Sequence, residues 1–450
     1  MIAERSFDQV AAPEPTGVEL EQEEEARRSI PAEWGLAKRM LFRFVCSYFF
    51  LYIFPFPLDY IPYVAVAAGW YQNLLNALVS WVGKHVLQVD TSILPNGSGD
   101  TTFNYVQVFC FLVLATVAML VWTLLDRKRA NYARLHEWLR IYVRFFLGAS
   151  MVSYGAYKIV PSQFPAPSID RLMQPFGDAS PMGLLWTFIG ASKSYEIFSG
   201  AAEMLGGLLL LARRTALLGA LVSIAVVSNI VMLNFSYDVP VKLYSSHLLV
   251  MAVFLVLPEV RRLANFFLFN RPVEPTEIRP LFRRVWLNRM ALAARTLLLL
   301  GVAGLALYQS YDGFLSYGDQ APKSPLYGVW NVEELEVNGQ ARPPLTTDET
   351  RWRRVTFDYP TTLSVQLMNQ SRVRYGLNLN LPKSALELTK RDDPKWKAAL
   401  SYKHTGPGLL ALEGMLDGQK IRAKLHRIEK PKFLLVDRGF HWINEYPFNR

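Results

Sequence analysis

Seven apolar segments run through this 450-residue chain and constrain its fold more than any other feature. About 20 apolar residues in a helix cross the hydrocarbon core of a bilayer. We therefore predict a multi-pass α-helical membrane protein with about seven spans and the lipid bilayer as its first partner. The predicted spans are residues 40–57, 103–125, 139–160, 195–211, 216–235, 243–257 and 290–307.

The composition agrees with this class of protein. Hydrophobic residues make up 51% of the chain, charged residues 19%, and the mean hydropathy is +0.13. A net charge of +10 would suggest nucleic acid in a soluble protein, but Lys and Arg collect in the cytoplasmic loops of membrane proteins. We therefore predict no nucleic-acid partner. The chain has two cysteines, Cys46 and Cys110, and no Cys/His spacing of a zinc site, so we also predict no metal site.

The basic residues predict the orientation in the membrane. With the amino terminus inside, the predicted inner loops are residues 126–137, 213–214 and 258–289. The last inner loop carries Arg261, Arg262, Arg271, Arg279, Arg283, Arg284 and Arg289, whereas the short outer loops carry few basic residues. The positive-inside rule then predicts a cytoplasmic amino terminus and an extracytoplasmic carboxyl-terminal domain.

Residues 61–87 form an apolar segment that is long enough to span but would reverse this orientation. Trp70, Tyr71 and Trp81 are typical of the headgroup boundary. We predict an interfacial or re-entrant helix on the outer face, with an eighth span as the alternative.

The sequence pattern changes from about Leu326 onward. Short runs of β-branched and aromatic residues alternate with turn signals, including Asn338-Gly339 and Asp417-Gly418, which favour two-residue hairpins. About eight strands are predicted, the last of them in "KFLLVDRGFHWI". This pattern predicts a small antiparallel β-barrel, which is either filled by its own side chains or holds one small ligand.

Polar side chains inside spans are functional candidates, because a charge in the bilayer is costly unless it is paired or hydrated. The predicted topology brings eight such residues to the outer leaflet. The candidates for chemistry are Lys158, Glu196, Glu203, Asp238, Lys242 and His247, and the candidates for cofactor binding are Asn229 and Asn234. Glu203 follows Glu196 by about two helical turns, which places it about 10 Å deeper.

This polar set is compatible with three roles, namely holding an anionic head group, relaying protons, or holding a redox ring. A structural interpretation is equally open. In that interpretation Lys158 pairs with Glu196 and Asp238 with Lys242, while His247 donates to a backbone carbonyl. The small residues Gly200, Ala201, Gly206 and Gly207 then permit close helix contact.

Residues 144–272 resemble the DoxX-like membrane family. The resemblance rests on "RFFLGASMVSYGAYKIVPSQF", "SPMGLLWTFIGAS", "AEMLGGLLLLARRTALLGAL" and "NFSYDVPVKLYSSHLLVMA", in this order. It implies a four-helix membrane bundle made of the third to sixth spans. Name-giving members are similar to the small subunit of a thiosulfate:quinone oxidoreductase, which implies a quinone. A remoter similarity to membrane enzymes that act with vitamin K, where a lysine base works on a quinone, draws attention to Lys158 and Lys242.

The carboxyl-terminal region resembles a lipocalin-like barrel. Gly328, Val329 and Trp330 match the G-x-W of the first strand, and Arg438 stands where such folds place an arginine over that tryptophan. The resemblance implies an apolar ligand inside the barrel.

These patterns divide the chain into five regions. We predict an acidic disordered cytoplasmic tail (1–37), two spans with an outer interfacial helix (38–138), a DoxX-like bundle (139–272), a basic loop with the seventh span and a linker (273–325), and a lipocalin-like barrel (326–450). The expected location is the bacterial inner membrane. The expected function is a quinone-interacting subunit of a membrane oxidoreductase with a redox partner protein. The alternatives are binding or anchoring of an apolar ligand without chemistry, and a structural subunit of a membrane complex.

Overall fold

The structure is a computed structural model that describes residues 33–61, 63–93, 97–275, 282, 284–390, 392–393, 395–429 and 432–449. Residues 1–32 of the predicted acidic tail, and Arg279 and Arg283 of the predicted inner loop, lie outside these residues. The chain forms two compact units, Met1–Phe146 and Leu147–Arg450.

Helices make up the first two thirds of the described chain. They are α1 (Leu36–Ile53), α2 (Val64–Val82), α3 (Thr102–Leu125), α4 (Ala133–Ile159), α5 (Ile169–Leu172), α6 (Pro181–Gly190), α7 (Lys193–Leu211), α8 (Ala216–Ser236), α9 (Lys242–Val256), α10 (Val260–Phe267), α11 (Val285–Ser316) and, after the strands, α12 (Leu434–Asp437).

All seven predicted spans coincide with helices, and five of them are long and apolar enough to cross a membrane by themselves. These five are Leu36–Tyr60, Thr102–Leu125, Ala216–Ser236, Lys242–Phe267 and Val285–Ser316. The prediction of a multi-pass membrane protein is thus supported. Helices α4 and α7 are 27 and 19 residues long, but their charged residues make them more polar, so the count of seven spans stays a prediction.

In the first unit, α2 is the helix predicted within residues 61–87, and Gly83–Leu87 continues this helix as a π-helical turn. Leu75 and Val79 of α2 pack with Phe103 and Val106 of α3 in one buried cluster. Trp70 and Trp81 are exposed, as a headgroup boundary would require. The interfacial placement of this helix stays a prediction.

In the second unit, glycines let α4 and α7 touch through their backbones. A Cβ on Gly155 would lie 2.7 Å from the Gly200 carbonyl oxygen, and one on Gly207 would lie 2.8 Å from the Gly148 carbonyl oxygen. The predicted role of the small residues is therefore confirmed for Gly200 and Gly207, whereas Ala201 is exposed.

The carboxyl-terminal strands form a closed antiparallel eight-strand barrel, as predicted, with one short additional strand. The strands are β1 (Gly328–Val337), β2 (Gln340–Ala341), β3 (Trp352–Phe357), β4 (Thr362–Leu367), β5 (Arg372–Asn380), β6 (Ala385–Thr389), β7 (Lys397–Gly406), β8 (Leu409–Leu416) and β9 (Gln419–Arg427). Strands β1 and β3 to β9 pair in chain order, and β9 pairs with β1 to close the barrel.

The predicted hairpin turns are present in the barrel. Asn338 and Gly339 have φ of 53° and 79°, and Asp417 and Gly418 have φ of 48° and 76°. Positive φ at both central residues is the requirement of the type I′ turn, which Asn-Gly and Asp-Gly meet best. Apolar side chains from the strands form one buried cluster that includes Trp330, which favours a barrel filled by its own side chains.

Two predictions about the end of the barrel are wrong. The predicted strand "KFLLVDRGFHWI" contains the short helix α12 and no strand, because β9 has already closed the barrel at Arg427. Arg438 lies over Phe448, at 3.8 Å, and not over Trp330. Arg427 lies over Trp330 at 6.0 Å instead, since the register of β1 and β9 pairs these two residues.

Candidate functional site

A cavity of about 110 Å³ lies among α4, α6, α7, α8 and α9 of the second unit. Most of its lining is apolar and aromatic. The lining includes Met151, Tyr154, Lys158, Gln163, Phe164, Leu185, Trp186, Ile189, Tyr195, Ser199, Glu203, Val227, Asn229, Leu233, Asn234, Tyr244, Ser245 and Leu248. Ligand sites in proteins typically combine such apolar walls with a few convergent polar groups.

Lys158 and Glu203 form a buried ion pair in the cavity wall. The side chains are 8% and 1% exposed, and Lys158 Nζ donates to Glu203 Oε1. Lys158 lies about one helical turn after Gly155, where the backbones of α4 and α7 touch. Its side chain therefore lies directly against α7, beside Gly200. Each of these two buried charges is stabilised by the other, so removal of either side chain leaves a buried charge without a counterion.

The suggested pairing of Lys158 with Glu196 is wrong. Glu196 is fully buried and accepts hydrogen bonds from Lys193 Nζ at 3.2 Å and from the Phe164 backbone N–H at 3.1 Å. Lys193 also donates to the Phe164 carbonyl oxygen at 3.0 Å. Glu196 therefore fixes the loop that carries Phe164 to the start of α7, about two helical turns before Glu203.

Gln163 also lines the cavity, and no local sequence pattern singles it out. Its Oε1 is buried and has no hydrogen-bond partner within the described part of the chain. A buried acceptor without a partner is unfavourable. A ligand that donates a hydrogen bond would satisfy it.

The two predicted asparagines line the cavity in different ways. Asn234 is buried and donates from Nδ2 to Ser245 Oγ at 3.0 Å, so its amide is already engaged between α8 and α9. Asn229 is exposed on α8. Tyr244 of α9 donates from its hydroxyl to Ser150 Oγ at 3.0 Å and stands beside the Tyr154 ring.

The remaining predicted residues do not belong to the described lining. Asp238 and Lys242 pair at 2.8 Å, as the structural interpretation suggested, and the Asp238 side chain is 84% exposed. His247 Nδ1 donates to the Leu243 carbonyl oxygen at 2.6 Å, which was also suggested. Four of the eight candidates therefore meet at the cavity: Lys158, Glu203, Asn229 and Asn234.

Within the described residues, no group of three or more His, Cys, Asp or Glu side chains is arranged to hold a metal ion.

The chain is 34% identical over 143 residues to the Bacillus subtilis (strain 168) protein named "Uncharacterized protein YwoB". The matched segment is 31% of this chain and 87% of the YwoB protein. The chain belongs to the YwoB family. The YwoB-like segment is thus nearly a whole YwoB protein within a longer chain. No family model matches the chain, and no solved structure matches it.

Proposed function

We propose that this YwoB-family protein is a DoxX-like membrane protein of the bacterial inner membrane that binds a quinone or a similar ring in the cavity beside Lys158. In this proposal it serves as a subunit of a larger membrane oxidoreductase. The observation that carries the proposal is the buried Lys158–Glu203 pair in the wall of an otherwise largely apolar cavity.

The cavity has the size of a single ring. Its volume of about 110 Å³ is of the same order as the roughly 150 Å³ of an engineered apolar cavity that binds benzene. Trp186, Tyr154 and Tyr195 provide aromatic faces and edges around it. An isoprenoid tail has to leave the cavity, and the exposed apolar surface of the helices offers it lipid-like surroundings.

The lining residues include a hydrogen-bond donor and a hydrogen-bond acceptor, as binding of a quinone or quinol ring requires. Lys158 is within the wall and can donate a hydrogen bond to a ring carbonyl oxygen. Glu203 accepts a hydrogen bond from Lys158 Nζ and so holds the Lys158 side chain in place. Gln163 Oε1 can accept from a hydroxyl group, which a quinol has and a quinone lacks.

Reduction of a quinone consumes two electrons and two protons, and the residues of this cavity address only the protons. The proposal therefore includes a redox partner protein that supplies the electrons. It also keeps the predicted orientation, with the amino terminus in the cytoplasm and the cavity and barrel on the outer side.

Quinone binding by the purified full-length protein tests the proposal. The readouts are organic extraction of bound quinone and a titration with a short-chain ubiquinone or menaquinone followed by tryptophan fluorescence. Val227 lines the cavity and is 1% exposed, so Val227→Phe is expected to fill the space and to weaken binding at least tenfold. Overpacking of a core by a larger side chain costs roughly 1–3 kcal/mol of folding free energy, so we expect the variant to fold and its quinone binding to be measurable.

The matched control is Val250→Phe, the same substitution at an exposed position of α9 that is not part of the lining. It is expected to bind quinone like the unaltered protein. Equal binding by Val227→Phe and Val250→Phe, with both proteins folded, would show that the cavity is not the quinone site.

A second candidate is binding of an apolar ligand without chemistry, which the largely apolar lining also supports. The barrel is a weaker location for such a ligand because its interior is occupied by the buried cluster around Trp330. The two candidate functions predict different results for the variant Lys158→Met/Glu203→Leu. A passive site keeps its ligand when the pair becomes apolar, whereas the redox site loses quinone-dependent electron transfer with the partner.

A further inference from the structure

A second and larger cavity lies outside the proposed quinone site. This groove of about 430 Å³ is formed by residues 171–187 on one side and by residues 432–435 of the carboxyl-terminal segment on the other. Its volume falls in the range of ordinary small-molecule sites, roughly 300–1,000 Å³. We call it the tail groove.

The tail groove combines two cations with apolar walls. Arg171 and Lys432 line it together with Leu172, Phe176, Leu184 and Leu435. Among the described residues, neither Arg171 nor Lys432 forms an ion pair, and Arg171 Nη1 donates only to the neutral Gln174 Oε1, at 2.6 Å. The groove therefore places two cationic side chains, neither of them in an ion pair within the described residues, beside apolar walls.

The surroundings of Arg171 increase this positive field. Arg372 and Arg374 of β5 pair with Asp170, the residue before Arg171. The Asp358 carboxylate accepts from the Asp170 backbone N–H at 3.1 Å, so three guanidinium groups stand beside two carboxylates. The pKa of Arg171 lies below its usual value, first because of burial and then because of Arg374 and Arg372. A bound anion would relieve this repulsion.

The tail groove opens next to surfaces that suit lipid. Leu184 and Thr187 belong to α6, a ten-residue apolar helix whose Phe188 is exposed beside Tyr195 at the start of α7. Beyond Leu435, the carboxyl-terminal segment exposes several large apolar side chains. These are Val436, Phe440, Trp442, Ile443 and Tyr446. Tryptophan and tyrosine with basic residues are typical of the membrane–water interface.

We propose that the tail groove binds an anionic phospholipid, with the lipid phosphate between Arg171 and Lys432 and the acyl chains along the apolar side chains of α6 and the carboxyl-terminal segment. A basic residue paired with phosphate is a strong, charge-assisted contact. The exposed aromatic residues then lie in the interface of the same leaflet, which attaches the barrel to the bilayer. This site is independent of the quinone proposal because it shares no lining residue with the first cavity.

The test is lipid binding by the full-length protein in detergent, measured by native mass spectrometry with dihexanoyl-phosphatidylglycerol as the probe. Arg171→Gln and Lys432→Gln are each expected to weaken binding about fivefold, and the double variant about 25-fold. Lys383→Gln is the matched control, because Lys383 is exposed on the barrel and does not line the groove. It is expected to leave binding unchanged.

Two further probes identify the source of the phosphate. Dihexanoyl-phosphatidylcholine is expected to bind more weakly because its head group carries a compensating positive charge. Inorganic phosphate is expected to compete poorly because it gains nothing from the apolar walls.

The proposal is overturned if Lys432→Gln and Arg171→Gln both bind phosphatidylglycerol as the unaltered protein does, or if Lys383→Gln loses as much affinity as they do. Displacement of the lipid by equimolar inorganic phosphate would overturn the lipid assignment and leave a simple anion site. Lys432 is exposed, so its variant is expected to fold even if Arg171→Gln does not.

Discussion

Removing one partner of the Lys158–Glu203 pair is expected to destabilise the helical part of the second unit strongly. Lys158→Met leaves the Glu203 carboxylate, whose side chain is 1% exposed, without its counterion. An uncompensated charge at such a position costs about 3–5 kcal/mol. For a unit of this size, each kcal/mol lowers the melting temperature by roughly 2–4 °C, so a decrease of about 6–20 °C is expected.

Removing both charges is expected to restore most of this stability. In Lys158→Met/Glu203→Leu the two side chains keep similar volumes and no charge remains buried. Replacing a buried ion pair by apolar residues is often neutral or stabilising. The double variant is therefore expected within about 1 kcal/mol of the unaltered protein, which gives a large coupling free energy in a double-mutant cycle.

The assay is thermal or detergent-induced unfolding in mixed micelles, followed by tryptophan fluorescence. Lys242→Met is the control, because its partner Asp238 is 84% exposed and such a surface pair contributes about 0–1 kcal/mol. The reasoning is refuted if Lys158→Met is as mild as Lys242→Met, or if the losses of the two single variants simply add in the double variant.

Three further perturbations probe the rest of the second unit. Asp170→Asn should loosen the barrel from helix α5, since Asp170 pairs with Arg372 and Arg374, and hydrogen exchange of α5 and β5 should increase. Burial alone would raise the pKa of Asp170, but hydrogen bonds from Ser364 and Arg374 and the charges of the two guanidinium groups lower it. The ionised Asp170 carboxylate therefore contributes to the stability of the folded protein above about pH 4, and this contribution decreases as the pH falls below that value. Arg427→Ala should lower the barrel's melting temperature more than Arg438→Ala, because only Arg427 lies over Trp330 and donates to the Tyr327 carbonyl oxygen; equal losses would contradict the corrected assignment. Gly200→Leu should separate α4 from α7 and unfold the protein at lower temperature, while Ala201→Leu, at an exposed position, should not.

Much of the fold could be predicted because it depends on local patterns. Apolar runs of bilayer length coincide with helices, and the Asn338-Gly339 and Asp417-Gly418 turns mark hairpins whose geometry only such residues adopt easily. The end of the barrel was mispredicted because "KFLLVDRGFHWI" has the composition of a strand. Whether a strand has a free edge to pair with depends on barrel closure, which no local pattern encodes.

The candidate site was predictable only in part, for a similar reason. A buried charge in an apolar segment can be recognised from sequence, and that criterion found Lys158 and Glu203. Which carboxylate meets Lys158 depends on the register of α4 against α7, which is set by backbone contact at Gly155 and Gly200. Gln163 could not be found because its lack of a partner is a property of the packed structure.

The segment between α4 and α6, which includes the short helix α5, contacts two parts of the second unit. Gln163 and Phe164 form part of the cavity wall, and six residues after Phe164, Asp170 binds two arginines of the barrel and accepts from Ser364 Oγ at 2.7 Å. Ala166 of the same segment donates to Asp319 after α11 at 2.7 Å. We therefore expect occupancy of the cavity to be thermodynamically linked to the packing of this segment against the barrel. A partner that binds the barrel and shifts this segment changes the affinity of the cavity, and a ligand in the cavity changes the affinity for that partner by the same factor.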